Sequence, residues 1–107
     1  MNHYLFQISY TSETWQTLIE KREDHSETIR PAIKKMRRHL STSWVCVGEY
    51  DEVAIIRLPD GVTALAATMA FKAGGALREV KYTRLLSWQE AMDAMATASQ
   101  LDYRPPA

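Results

Sequence analysis

Hydrophobic and polar positions divide the chain into short strands and amphipathic helices. Aromatic and β-branched residues concentrate in stretches too short for ordinary helices, and we interpret these stretches as strands. The strand patterns cover residues 4–10, 43–50, 53–58 and 77–86. Elsewhere, apolar residues three or four positions apart predict helices. The helical patterns cover residues 12–40, 62–73 and 87–99.

A polar stretch interrupts the helical pattern of residues 12–40. Residues 20–26 contain no apolar side chain, so we expect two helices rather than one. Pro31 lacks an amide donor and is best tolerated in the first turn of a helix. This favours Thr28 as the N-cap of the second helix. An earlier start would instead predict a kink at Pro31.

The later helices have recognisable terminal residues. Gly74 and Gly75 follow one helical pattern, where glycine allows a left-handed cap. Ser87 and Glu90 have the spacing of a capping box at the start of the last helix. Both signals predict well-defined helix ends.

The order of elements predicts a ferredoxin-like α+β domain. Strand, helix, strand, strand, helix, strand is the β-α-β-β-α-β pattern with an antiparallel sheet, and the last helix is an addition to it. We expect residues 1–100 to form a single domain that includes this C-terminal helix. Residues 101–107 are expected to be an extended, proline-containing tail.

The first three strands carry apolar residues on both faces. Neighbouring residues of a strand point to opposite faces of the sheet. The apolar neighbours are Leu5 and Phe6, Trp44 and Val45, and Ile55 and Ile56. Helices on one side cover one face only, and soluble monomers rarely leave a large apolar face bare. We therefore predict a homodimer or higher homo-oligomer in which two sheets pack face to face.

Composition and charge limit the possible compartments and partners of the protein. The chain has 107 residues, and its 13 Lys and Arg balance its 13 Asp and Glu. No net field therefore favours nucleic acid or anionic lipid, and we predict neither as a partner. Cys46 is the only cysteine, which excludes an intramolecular disulfide. Because no apolar run is long enough to span a membrane and no leader is apparent, we expect a cytoplasmic protein.

Several segments resemble the GYD-domain family. The similar segments are Gly48-Glu49-Tyr50-Asp51-Glu52-Val53-Ala54-Ile55-Ile56, Tyr4-Leu5-Phe6-Gln7, Gly74-Gly75 before Arg78, and Tyr103-Arg104-Pro105-Pro106. The resemblance covers nearly the whole chain. It implies a small bacterial or archaeal domain similar to the dimeric α/β barrels, in a family of unassigned function. Arg37-Arg38 departs from the Gly-Gly that many relatives have before the second strand, so the turn there is expected to differ.

The turn formed by Gly48, Glu49, Tyr50 and Asp51 has two possible roles. Tyr50 and Asp51 offer a hydroxyl and a carboxylate to a ligand or a partner subunit. Alternatively, Gly48 permits a bulge or close backbone approach, Tyr50 packs over the sheet edge, and Asp51 binds its own turn. The turn chemistry alone favours the structural role.

Other reactive residues have ordinary structural explanations. Cys46 has no cationic neighbour on its strand, so inert packing is expected. The histidines have no metal-binding spacing, and we predict no metal and no cofactor. For His25, Asp24 or Glu23 is a possible partner in acid–base chemistry, but a solvated helix start is favoured. The basic residues 34–39 complement a helix C-terminus.

Two functions remain open from the sequence, which does not decide whether the protein is an enzyme. The first is binding of a small organic ligand in a pocket of aromatic walls and polar anchors. The candidate ligand-binding residues are Gln7, Ser9, Tyr10, Trp44 and Tyr50. By analogy with similar folds, such a pocket could support cofactor-free oxidation or isomerisation. The alternative is a non-catalytic regulatory or scaffolding oligomer.

Overall fold

The computed structural model describes residues 2–22, 24–35 and 39–106. Four strands and four helices follow one another along these residues. The strands are β1 (Asn2–Tyr10), β2 (His39–Val45), β3 (Glu52–Leu58) and β4 (Leu77–Leu85). The helices are α1 (Ser12–Lys21), α2 (His25–Lys35), α3 (Gly61–Ala73) and α4 (Trp88–Ser99).

The strands form one antiparallel sheet in the order β2-β3-β1-β4. β1 pairs with β3 on one side and with β4 on the other, and β2 pairs with β3 at the edge. This order places the first and third strands at the centre, as the β-α-β-β-α-β connectivity requires. The predicted ferredoxin-like α+β fold is confirmed.

The core lies between one face of the sheet and the helices. Alternate residues of β1 and β3 point into it because side chains of a strand change face at every residue. The largest fully buried apolar side chains are Tyr4, Phe6, Ile8, Ile33, Ile56 and Leu58. Ile33 comes from α2, and the buried Ala64 from α3 lets that helix approach the sheet closely.

The other sheet face is apolar at its centre and has no helix over it among the described residues. Leu5 pairs with Ile55, and Val53 pairs with Trp44, all on this side of the sheet. Leu5, Val53 and Ile55 are only half-buried, and Trp44 is 68% exposed. We call Leu5, Trp44, Val53 and Ile55 the open face.

The helix ends agree with the sequence predictions except at α2. Two helices do replace one between residues 12 and 35, because α1 ends at Arg22 in a left-handed conformation. The prediction of Thr28 as N-cap is wrong, since α2 begins at His25 and contains Pro31 in its interior. The main chain and hydroxyl of Ser26 both donate to Asp24 Oδ1, so Asp24 supplies the polar contact at this helix start.

Both later helix signals are confirmed. Gly75 has φ +78°, the left-handed conformation predicted after α3. Ser87 and Glu90 form the reciprocal capping box at the start of α4. Sequence signals that act within one turn were therefore reliable here.

Helix α4 packs against little of the described chain. None of its residues is buried, and its apolar residues Trp88, Met92 and Met95 are half or more exposed. The radius of gyration is 17.4 Å, whereas a compact domain of this length has about 13 Å. The single copy is thus elongated. No helix in the described part of the chain has the length and apolar character needed to cross a membrane.

Candidate functional site

A cleft of about 430 Å³ opens between the first two helices and one end of the sheet. It lies where β1 ends, β3 begins and the chain passes from α1 into α2. Its lining residues are Tyr10, Trp15, Leu18, Ile19, Asp24, His25, Ser26, Ser43, Trp44, Val45 and Glu52. Apolar side chains of α1 and β2 form its walls, and polar side chains meet at its base.

Glu52 is the centre of the polar base. Its side chain is 3% exposed, yet its carboxylate accepts hydrogen bonds from three other elements of the chain. Tyr10 Oη and His25 Nδ1 both lie within hydrogen-bond distance of Oε1, the latter at 2.8 Å. Ser43 Oγ donates to Oε2 at 2.7 Å. The donors arrive from β1, β2 and α2, so the carboxylate ties three elements together.

His25 is held by Glu52 in one orientation. A carboxylate only accepts hydrogen bonds, so the proton between the two groups belongs to Nδ1 of the imidazole. The ring also packs edge-on against Tyr10, with centroids 5.0 Å apart. With Nδ1 committed to Glu52, Nε2 becomes the nitrogen with a free lone pair in the neutral ring. Among the described residues, no hydrogen bond to Nε2 is found.

The contacts around Glu52 shift two acid–base equilibria. Burial of Glu52 raises the pKa of its carboxyl, but hydrogen bonds from His25, Tyr10 and Ser43 outweigh burial and hold that pKa below its ordinary value. For Tyr10, burial raises the pKa of the phenol, and the neighbouring Glu52 carboxylate raises it further. The site therefore keeps an ionised carboxylate beside a protonated phenol.

Comparison with known protein families gives a match that includes these residues. A family model of the GYD domain matches residues 4–95, which is most of the chain. The chain belongs to the GYD-domain family. The predicted resemblance is thereby confirmed, and the matched range includes Tyr10, His25, Ser43 and Glu52. No curated protein and no solved structure matches the chain.

In this GYD domain, Asp51 of the motif turn binds the backbone of the neighbouring strand. Its carboxylate accepts the main-chain N–H of Tyr10 at 2.9 Å. Its own N–H donates to Ile8, and its carbonyl accepts from Cys46. These bonds fix the end of β1 beside the start of β3, which brings Tyr10 next to Glu52. The carboxylate of Asp51 thus has a structural contact, but it binds β1 and not its own turn as the sequence suggested.

Gly48 does not have the backbone role considered from the sequence. A Cβ atom at Gly48 would meet no heavy atom within 4 Å, and its φ is not positive. Within the described residues of one copy, neither a close contact of the backbone nor a left-handed conformation therefore requires glycine at position 48. Glu49 is exposed on the same turn.

The structure separates the five predicted ligand-binding residues. Tyr10 and Trp44 line the cleft. Gln7 points to the opposite face of the sheet, and Ser9 is buried there with no hydrogen-bond partner for its hydroxyl among the described residues. Tyr50 is half-buried and does not contribute to the lining of the cleft. A role of these last three in ligand binding stays a prediction.

The expectation that His25 is solvated is wrong. Its side chain is 11% exposed, because the left-handed Arg22 turns the chain back and α2 then directs His25 onto Glu52. Asp24, one of its two expected partners, instead binds the start of α2. Glu23, the other, lies outside the described residues.

The remaining candidates add no second polar cluster. Cys46 is a half-buried free thiol just beyond β2. No group of three or more metal-ligating side chains occurs within residues 2–22, 24–35 and 39–106. Residues 36–38 of the basic segment, including the Arg37-Arg38 departure from the family pattern, lie outside the described residues. The cleft base is the strongest site in the part of the chain that the structure describes.

Sequence reasoning missed Glu52 and Ser43. A signal for Glu52 was present, because it has the same parity as Ala54, Ile56 and Leu58 and therefore points to the helix-covered face. An acidic residue in that register is rarely buried without a partner. Its partners are 42, 27 and 9 positions away in sequence, which spacing along the chain does not reveal.

Proposed function

We propose that this GYD-domain protein is a homo-oligomer that binds a small, largely apolar organic molecule in the cleft beside His25. The cleft volume of about 430 Å³ is in the range of small-molecule sites, about 300–1,000 Å³. Trp15, Leu18 and Ile19 supply apolar contact from α1. His25 and Asp24 supply polar groups that can orient a ligand.

The buried Glu52 carries this proposal. A buried ionic pair, taken with all its partners, generally stabilises a fold no better than a set of packed apolar side chains of similar volume. The remaining inward-facing positions of β3 are all apolar, namely Ala54, Ile56 and Leu58. The exception occurs where the sheet meets the cleft, and its carboxylate orients a histidine that lines the cleft. A role in ligand recognition or catalysis would explain a buried carboxylate at this position.

The open face and α4 support the homo-oligomer. Pairing two copies through the open face would bury Leu5, Val53 and Ile55, which one copy leaves half-exposed. The exposed Trp88 and Met92 of α4 need a similar cover. A two-fold axis through the open face supplies the same surface to both copies. The cleft residues Tyr10, Ser43 and Glu52 point to the opposite, helix-covered side of the sheet, and Trp44 at the edge strand belongs to both surfaces.

One observation favours the alternative of a non-catalytic scaffolding or regulatory oligomer. Gly48 of the motif turn has free space around it and no positive φ. Contact with a partner copy would explain a glycine that one copy does not require. The alternative does not explain the Glu52–His25 pair, and we therefore rank ligand binding first.

Binding is tested with a library of neutral bicyclic aromatic fragments and ligand-observed NMR. Ile19 is 69% exposed on the cleft wall, so Ile19→Lys should fold normally and place a charge among the apolar contacts. We expect fragments to bind the unmodified chain and to lose about tenfold in affinity in Ile19→Lys, equivalent to about 1.4 kcal/mol.

Val62→Lys is the matched control, because Val62 is an exposed apolar residue of α3 outside the cleft. It should bind the fragments as the unmodified chain does. Native mass spectrometry of the freshly purified protein gives the subunit number and any retained molecule in the same experiment. Equal binding by both lysine variants, or no fragment binding at all, would contradict the proposed function.

A further inference from the structure

The Glu52–His25 pair has the arrangement of a general base and its orienting carboxylate. Nδ1 of His25 donates to Glu52 Oε1 at 2.8 Å, so the lone pair of Nε2 points away from the carboxylate. A histidine held in this way accepts a proton at Nε2, and the adjacent carboxylate stabilises the imidazolium that forms. His25 lines the cleft directly, so a bound molecule can reach its ring.

Tyr10 and Ser43 act on Glu52 rather than on a ligand. The Tyr10 hydroxyl donates to Oε1, and the Ser43 hydroxyl donates to Oε2. Both protons are therefore committed to the carboxylate. Together they hold Glu52 ionised and fix its orientation, which makes them positioning residues for His25. The imidazole of His25 is then the nitrogen base in the described lining.

The charge of the cleft selects the ligand. Its described lining includes the carboxylates of Asp24 and Glu52 but no lysine or arginine. The Asp24 carboxylate remains ionised, since the Ser26 hydroxyl donates to it and lowers its pKa. An anionic ligand such as a carboxylic acid or a phosphate would meet like charge without a cation to balance it. A neutral molecule with an aromatic body matches both the charge and the walls formed by Trp15 and Leu18.

We propose that His25 Nε2 removes a proton from a carbon next to the carbonyl group of a neutral aromatic ketone, and that the protein isomerises such compounds. This inference rests on the proposed ligand-binding function. The C–H bond breaks as the N–H bond forms, the C–H electron pair becomes the new C=C bond, and the C=O π pair moves onto the carbonyl oxygen to give an enolate. The imidazolium then returns its proton to that oxygen, giving the enol, or to another carbon of the same system. No atom or electron is gained or lost.

The experiment measures exchange of α-hydrogen for deuterium in D₂O by proton NMR. The probe is 2-tetralone, a neutral bicyclic ketone with hydrogens between a carbonyl and an aromatic ring. We expect the protein to accelerate exchange at least about 100-fold over an equal concentration of free imidazole, the usual contribution of a positioned general base. Phenylpyruvate has a similar α-carbon but carries a carboxylate, and we expect little binding or exchange.

Three variants identify the groups responsible. His25→Gln should lower exchange to no more than the rate with free imidazole while still binding 2-tetralone. Glu52→Gln should lower kcat at least about tenfold with little change in KM, because it disturbs the tautomer and not the apolar walls. Glu20→Gln is the control, since Glu20 is exposed on α1 and does not line the cleft, and it should match the unmodified chain. Circular dichroism confirms the folding of each variant.

The outcomes separate this inference from the binding function. Binding of 2-tetralone without accelerated exchange by the unmodified chain overturns the proton-transfer inference and leaves ligand binding intact. Failure to bind 2-tetralone overturns the ligand class, and the neutral fragment library then decides separately whether the cleft binds small molecules. Equal exchange of phenylpyruvate overturns selection by charge. The first two results need no variant to fold.

Discussion

Replacing Glu52 by leucine should lower the free energy of unfolding by about 3 kcal/mol, a large share of the stability of a small domain. Leucine would fill similar space but accept no hydrogen bond. The hydroxyls of Tyr10 and Ser43 and the Nδ1–H of His25 would then lose their common acceptor in a site that is largely closed to water. Glu52→Gln keeps the shape and one acceptor oxygen, so it should lose less.

Urea unfolding measures these changes, with Glu20→Gln as the exposed control, expected within about 0.5 kcal/mol of the unmodified chain. Tyr10→Phe tests the cause. It should destabilise the unmodified chain by about 1 kcal/mol but cost less in the Glu52→Leu background, where the hydroxyl has already lost its acceptor. Equal cost in both backgrounds would show that Tyr10 and Glu52 are not coupled.

The free energy of unfolding of the unmodified chain and of Glu52→Gln should depend on pH in a defined direction. The pKa of Glu52 is lower in the folded chain than its ordinary value of 4.5. Its ionised form therefore contributes stability above that value, and the contribution is lost as the pH falls below 4.5 toward the folded pKa. The difference in stability between the unmodified chain and Glu52→Gln should shrink over that range. A constant difference would contradict an ionised Glu52.

Replacing Ile55 by aspartate should convert the proposed homo-oligomer into a folded monomer. Ile55 lies on the central strand β3, between Leu5 of β1 and Thr42 of β2 on the open face. Face-to-face pairing would enclose a carboxylate from each copy near the two-fold axis, without a fixed cation to pair with it. The loss should be about 4 kcal/mol or more, which weakens association at least about 10³-fold.

Native mass spectrometry and light scattering measure this change, and circular dichroism confirms that the monomer keeps its fold. Val62→Asp is the control, because Val62 is exposed on α3, away from the open face. It should assemble like the unmodified chain. A monomeric unmodified chain, or an Ile55→Asp variant that still assembles, would contradict pairing through the open face.

Most of the sheet and helices was predictable because the signals are local, although β2 was predicted at residues 43–50 and spans His39–Val45. Alternation in residues 4–10 and 53–58 marks two strands whatever they pair with, and Ser87 and Glu90 define a helix start within one turn. The start of α2 was missed because the preference of Pro31 for a first turn suggested Thr28. In the structure, α2 contains proline in its interior, Ser26 binds Asp24 at the start of the helix, and Ile33 packs in the core.

The site was only half predictable, because its contacts join residues that are far apart in sequence. Tyr10 was recognised as an aromatic residue with a hydroxyl, and its place in the cleft follows from that strand's register. His25 was noted but given no distant partner, since its bond to Glu52 spans 27 positions. Asp51 drew attention as a family motif, whereas its neighbour Glu52 holds the histidine. Parity within β3 identifies Glu52 as inward-facing, but only the fold shows what it contacts.

In the proposed site, Glu52 fixes His25 with its proton on Nδ1 and leaves Nε2 free to act as a base. The most direct measurement is ¹⁵N NMR of the chain labelled at histidine, recorded where the imidazole is neutral. We predict a protonated Nδ1 and an unprotonated Nε2 for His25, with the exposed His3 showing the mixed tautomers of an unconstrained ring. A His25 ring with its proton on Nε2, or one that exchanges freely between tautomers, would contradict the account.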